Sequence, residues 1–117
     1  MNPSDRVRIA HIIEAAREAI AFASGRTEAD LFSDRMLTRS LERQIEIVGE
    51  AANKISTELQ QDTPEILWAD IVAMRNRLIH AYFDVNLSFV WSTVMEDLPL
   101  LIEALERVLA RADRGGE

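Results

Sequence analysis

SDRMLTRSLERQIEIVGEAANKISTELQ, residues 33–60, is the stretch whose reading decides the fold. Leu37, Leu41, Ile45, Val48, Ala52, Ile55 and Leu59 recur at intervals of three and four, with Gln44 beside Ile45 at the margin of the stripe. That spacing is one apolar face of a helix with 3.6 residues per turn. The remaining faces are charged. Arg35, Arg39 and Arg43 recur every four residues beside a parallel row of Glu42, Glu46 and Glu50. Arg39–Glu42 and Arg43–Glu46 have the spacing of exposed ion pairs, each worth a few tenths of a kcal/mol. The row therefore reads as a solvated, partly neutralised face rather than a groove for a polyanion. One long helix is expected from Ser33 to about Gln60.

The flanking sequence repeats the pattern. Ile9, Ile12, Ile13, Ala16, Ile20 and Ala23 form one face of a helix expected from Asp5 to Ala23, with Ser4 as N-cap and Gly25 as the left-handed residue after its end. Thr27 to Phe32 suits a short helical turn. Gln61-Asp62-Thr63-Pro64 is a break, with Thr63 placed to cap and Pro64 to begin the next helix. A third long helix is expected from Trp68 or Asp70 to about Tyr82, followed by a loop over Phe83-Asp84-Val85-Asn86. The last runs from about Leu87 to Ala112, and Pro99 should kink or split it near Leu98, because proline has no N–H and its ring meets the preceding turn. No run alternates with period two long enough for a strand. Only four glycines and three prolines interrupt the 117 residues. The expected fold is all-α, a single domain over residues 1–117: an antiparallel bundle of four main helices with a flexible tail over 113–117. Ile12, Ile20, Leu41, Ile45, Val48, Ile55, Met74, Leu78, Val94 and Leu105 should form its core.

Composition narrows the chemistry. The chain has no cysteine, hence no disulfide framework and no thiolate zinc site. No apolar run approaches the length of a membrane span, and Met1-Asn2-Pro3-Ser4-Asp5 carries no signal-peptide pattern, so a cytoplasmic protein is expected. The formal net charge of −7 argues against a nonspecific nucleic-acid coater. The acidic residues crowd the C-terminal third, whereas Arg75 and Arg77 have only Asp70 nearby.

Arg75-Asn76-Arg77-Leu78-Ile79-His80-Ala81-Tyr82 is where chemistry is concentrated. A helix that only had to pack would not need Arg, Asn, Arg and His on consecutive turns, because burying such groups unpaired is costly. Arg75 and His80 are five residues apart, about 140° on a helix, and do not share a face. Asn76 and Arg77, at four and three residues, do share a face with His80. Arginine is a fixed-charge fork suited to phosphate oxygens, and histidine exchanges protons near neutrality. The plainer reading, in which His80 faces its helix's last carbonyls and the arginines are solvated, is favoured by residue types alone. Tyr82 by itself reads as a packing residue, Trp68 and Trp91 as core or interface anchors. His11 has no metal-ligand partner at helical spacing, and neither a metal site nor a cofactor is expected.

Arg75-X4-His80-X-Tyr82 resembles the signature of the HEPN superfamily, specifically of HepT-like toxins, in which a polar residue such as Asn76 follows the arginine. Ile47-Val48-Gly49-Glu50-Ala51-Ala52 is similar to that family's second-helix signature. Trp68-Ala69-Asp70-Ile71, Val90-Trp91 and Asp97-Leu98-Pro99-Leu100-Leu101 match it in order and spacing. The likeness extends over about residues 5–112.

The resemblance implies an all-α two-fold homodimer whose members include metal-independent endoribonucleases, with Arg75 and His80 of both protomers meeting in a shared cleft. That would remove the rotation problem, since one helix need not hold both groups. It implies a type VII-like toxin–antitoxin pair, in which a minimal nucleotidyltransferase antitoxin silences the toxin by adenylylating Tyr82. On this reading Arg75 and His80 are catalytic, Asn76 and Arg77 are supporting, and the substrate is RNA. The alternative is a non-catalytic helical dimer that binds a nucleotide or a partner protein through the same cleft.

Overall fold

The computed structural model describes residues 1–79 and 86–115, with Ile79 described by its backbone alone. Among them every regular element is helical: α1 (Pro3–Ala23), α2 (Asp30–Ser33), α3 (Arg35–Ala52), α4 (Thr57–Asp62), α5 (Trp68–Ile79), α6 (Leu87–Ser92) and α7 (Leu98–Arg114). The helix α3 packs against α1 on one side and α5 on another, and α7 packs against α1. No described helix is long and apolar enough to cross a membrane.

The apolar stripes enter one core. Ile9, Ile12, Leu41, Ile45, Val48, Val90, Val94, Leu98 and Leu105 lose essentially all contact with solvent. Each such Val, Ile or Leu contributes about 1.5–3 kcal/mol by leaving water. Of the expected core residues, Ile20 and Met74 are half-buried against this cluster and the others are buried. Two arginines of the α3 row are paired as their spacing indicated: Arg39 lies 3.7 Å from Glu42, and Arg43 lies 3.4 Å from Glu46 and 3.8 Å from Glu50.

Several helix ends differ from expectation. The cap of α1 is Asn2, not Ser4; its side-chain oxygen accepts from the Asp5 N–H at 2.7 Å, and Pro3 occupies the first turn, where its missing N–H costs nothing. Gly25 takes φ 75°, the left-handed value the sequence indicated.

The helix expected to run unbroken to Gln60 is divided. α3 ends at Ala52, Asn53–Ile55 turn, and Ser56 caps α4 by accepting from the Leu59 N–H at 3.2 Å. The buried carboxylate of Asp5 fixes the break: it accepts from the Ser56 N–H at 2.9 Å and from the Ser56 hydroxyl. Ile55 and Leu59 nevertheless stay buried, so the apolar pattern survives the interruption.

Thr63 ends α4 instead of beginning a helix. Its hydroxyl donates to the Leu59 carbonyl at 2.7 Å and accepts from the Trp68 indole N–H at 3.0 Å, so the start of α5 is tied to the end of α4.

The last expected helix is interrupted where Pro99 demanded it. Between α6 and α7, Thr93–Asp97 form a π-helical turn in which the Leu98 N–H reaches the Thr93 carbonyl five residues back. This wider turn absorbs the backbone bond that Pro99 cannot make. α7 then continues to Arg114, and Arg6 pairs with Asp113 at 2.9 Å across to α1.

Candidate functional site

The motif helix α5 is anchored at its start by the buried Trp68 and along its length by Ile71 and Leu78, both buried, with Met74 half-buried. This phase places Arg75 at the edge of the buried stripe, and Asn76 and Arg77 in solvent.

Arg75 is set against α3 with unusual closeness. A Cβ placed on Gly49 would lie 2.1 Å from the Arg75 Cβ, 2.8 Å from its Cγ and 3.4 Å from its Cα. Only hydrogen at position 49 leaves room for the root of that side chain. The Arg75 guanidinium donates from Nη1 to the Asn76 Oδ1 at 3.0 Å. Its Nε is buried and has no hydrogen-bond partner among the described residues. Leaving such a donor unpaired is costly, so this Nε is a place where an acceptor would be stabilising.

Arg77 leans the other way, its guanidinium carbon 4.1 Å from the centre of the Phe89 ring on α6. This cation–π contact holds the charge at the surface, with no carboxylate among the described residues paired to it. Asn76, expected in a supporting role, accepts from Arg75 with its side-chain oxygen. His80 and Tyr82 lie outside the described residues, as do the expected end of α5 and most of the loop before Asn86. Asn86 itself caps α6, accepting from the Phe89 N–H at 3.1 Å.

One carboxylate lies on the same face of α3 as Gly49. Glu42 is seven residues, two turns, before it, and its side chain is only 13% exposed. Burial pushes its carboxyl above the usual range, Arg39 opposes the shift, and Glu46 adds to it. His11 is exposed on α1, and no group of three or more His, Asp or Glu side chains among the described residues is placed to hold a metal.

Two contributors were not singled out from spacing. Gly49 carried a signal, since glycine inside a helix costs about 1 kcal/mol relative to alanine and needs a reason. Phe89 carried none, because its contact with Arg77 joins two helices across the loop.

Among the described residues the domain is all-helical, with Arg75 set into the notch left by Gly49 and Asn76 and Arg77 beside it. The chain belongs to the HepT-like ribonuclease family, which it matches over residues 12–108. It is similar to a Caldanaerobacter subterraneus protein named "Putative RNase", at 31% identity covering 91% of this chain and 95% of that one. It is also similar to a Thermococcus cleftensis protein named "Probable ribonuclease HepT", at 38% identity over 68% of this chain and 72% of that one. A Methanocaldococcus jannaschii protein named "Gamma-glutamylcyclotransferase and putative RNase" is 30% identical over 97% of this chain and 51% of its own length. No solved structure matches the chain.

Proposed function

We propose that this protein is an endoribonuclease that needs no metal, the toxin of a toxin–antitoxin pair. The observation that carries the reading is Arg75, buried at its Nε, unpartnered there among the described residues and seated on Gly49 within a family of ribonucleases. In the reaction, the ribose 2′-hydroxyl attacks the adjacent phosphorus and the 5′-oxygen leaves. His80 takes the proton from the attacking hydroxyl, and a second His80, from the other protomer of a two-fold dimer, returns one to the leaving oxygen. Arg75 stabilises the charge that develops on the phosphoryl oxygens. Asn76 holds the Arg75 fork in place, and Arg77 contacts the RNA backbone. A cognate nucleotidyltransferase silences the site by transferring AMP from ATP to the Tyr82 hydroxyl, releasing pyrophosphate. The attached phosphodiester then occupies the arginine site and repels RNA.

The test is cleavage of single-stranded RNA in excess EDTA by wild type and by His80→Ala. Activity that survives chelation and disappears in the variant supports the proposal. Tight nucleotide binding without turnover would replace it with a non-catalytic binding dimer. Tyr82→Phe should keep cleaving after incubation with the nucleotidyltransferase and ATP, whereas wild type should gain the mass of AMP and lose activity.

A further inference from the structure

An open groove of about 620 Å³ lies between the start of α5 and the start of α7. Its floor is apolar, with Ile71 and Leu98 buried beneath it. Two leucines that line it are exposed to water: Leu67, 64% exposed, just before α5, and Leu100, 65% exposed, in the first turns of α7. Two leucines this exposed in one apolar groove are costly to leave in water. The rim is acidic. Glu65 is held by Arg111 at 2.7 Å, but Asp70 and Asp97 have no ion-pair partner among the described residues. Arg77 is the groove's cation and is engaged with Phe89.

From this combination we infer that the groove is a docking site for an amphipathic helix of a partner protein, one that presents a row of leucine-like side chains flanked by lysine or arginine. Apolar side chains would pack against Leu67 and Leu100, and basic ones would meet Asp70 and Asp97. Burial already holds the Asp97 carboxyl above its usual range, with Glu96 adding to the shift, so a cation placed there would relieve an existing penalty. RNA is a poor occupant, because its phosphates would face the same carboxylates. A two-fold contact that set this groove upon itself is also disfavoured, since it would bring one acidic rim against another. Arg77 of the motif helix lines the groove, so a partner seated there would reach one residue of the candidate site. The inference does not depend on the ribonuclease reading.

The experiment uses the full chain and a fluorescent, amidated helical peptide with a leucine stripe flanked by lysines. A second peptide carries glutamate in place of each lysine. Wild type should bind the lysine peptide, with the glutamate peptide weaker by about ten-fold or more. The decisive variant is Leu67→Glu/Leu100→Glu, which removes both leucines yet makes the protein more acidic. Docking predicts a loss of about ten-fold or more; generic charge attraction predicts tighter binding. Leu67→Ser/Leu100→Ser replaces it if circular dichroism shows lost helix, and should weaken binding in the same direction. Unchanged or tighter binding in the glutamate variant overturns the inference. So does displacement of the peptide by single-stranded RNA, or a shift of the variant to a smaller oligomer on gel filtration, which would assign the groove to a contact between copies.

Discussion

Gly49 and Arg75 compete for the space of one methyl group: a Cβ at position 49 would lie 2.1 Å from the Arg75 Cβ. The neighbouring atoms are the root of a side chain and its Cα, not a flexible tip, so α5 itself would have to move. Helix propensity alone says that Gly49→Ala should stabilise α3 by about 1 kcal/mol. Overpacking costs about 1–3 kcal/mol and should win. Gly49→Ala is therefore expected to lower the urea midpoint, and to reduce RNA cleavage by more than the lost folded fraction, because Arg75 moves with α5. A midpoint equal to or above that of wild type would show that α3 and α5 are not in contact here.

Leu41 is wholly buried at the centre of α3. Leu41→Ala should cost about 2–5 kcal/mol in chemical denaturation, the upper part of that range if the cavity cannot collapse. Leu100→Ala, at an exposed position lining the groove, is the contrasting substitution and should change stability by less than about 0.5 kcal/mol.

Ser56 performs two tasks at once. Its hydroxyl caps α4 and donates to the buried Asp5 carboxylate. Ser56→Ala should cost about 1–3 kcal/mol, since a cap is lost and a buried charged acceptor loses one of its donors. Ser56→Thr, which keeps the hydroxyl, should recover most of it. Equal losses in both variants would mean that shape rather than hydrogen bonding holds the break.

Acid sensitivity should be concentrated around Arg26. Its guanidinium bonds Asp34 at 2.7 Å and Asp30 at 3.3 Å. The Asp34 carboxyl is held below the usual range first by Arg26 and then by the Leu37 N–H, and Asp30 chiefly by the Thr27 N–H with help from Arg26. Carboxyls lowered in the folded state stabilise it above their ordinary value of 3.8, and that contribution is lost as pH falls from there through the folded values. Arg26→Ala should therefore lower the melting temperature more at neutral pH than in acid well below 3.8, where the contribution of the two lowered carboxyls is being lost. A loss that is the same at both pH values would remove electrostatics as the cause.

The helices were legible wherever the apolar stripe was long. Leu37, Leu41, Ile45 and Val48 spell one buried face, and that face is buried. The left-handed turn at Gly25 and the disturbance before Pro99 were equally legible, because each depends on the backbone chemistry of a single residue. The division between α3 and α4 was not legible. Ile55 and Leu59 continue the periodicity, and the break depends on Asp5 bonding a residue 51 positions away.

For the candidate site, the sequence by itself determined which residue types share α5: Arg75, with Asn76 and Arg77 beside it. Their order follows from helical spacing, which is local. Only the tertiary structure decided that Arg75 sits in the notch left by Gly49, that its donor goes to Asn76, and that Arg77 lies over Phe89. It also decided that Leu67 and Leu100, from different elements, line one groove. Each of these relations except the Arg75–Asn76 bond joins residues on different elements. The distances depend on how closely two helices pack, a quantity that periodicity along one chain does not contain.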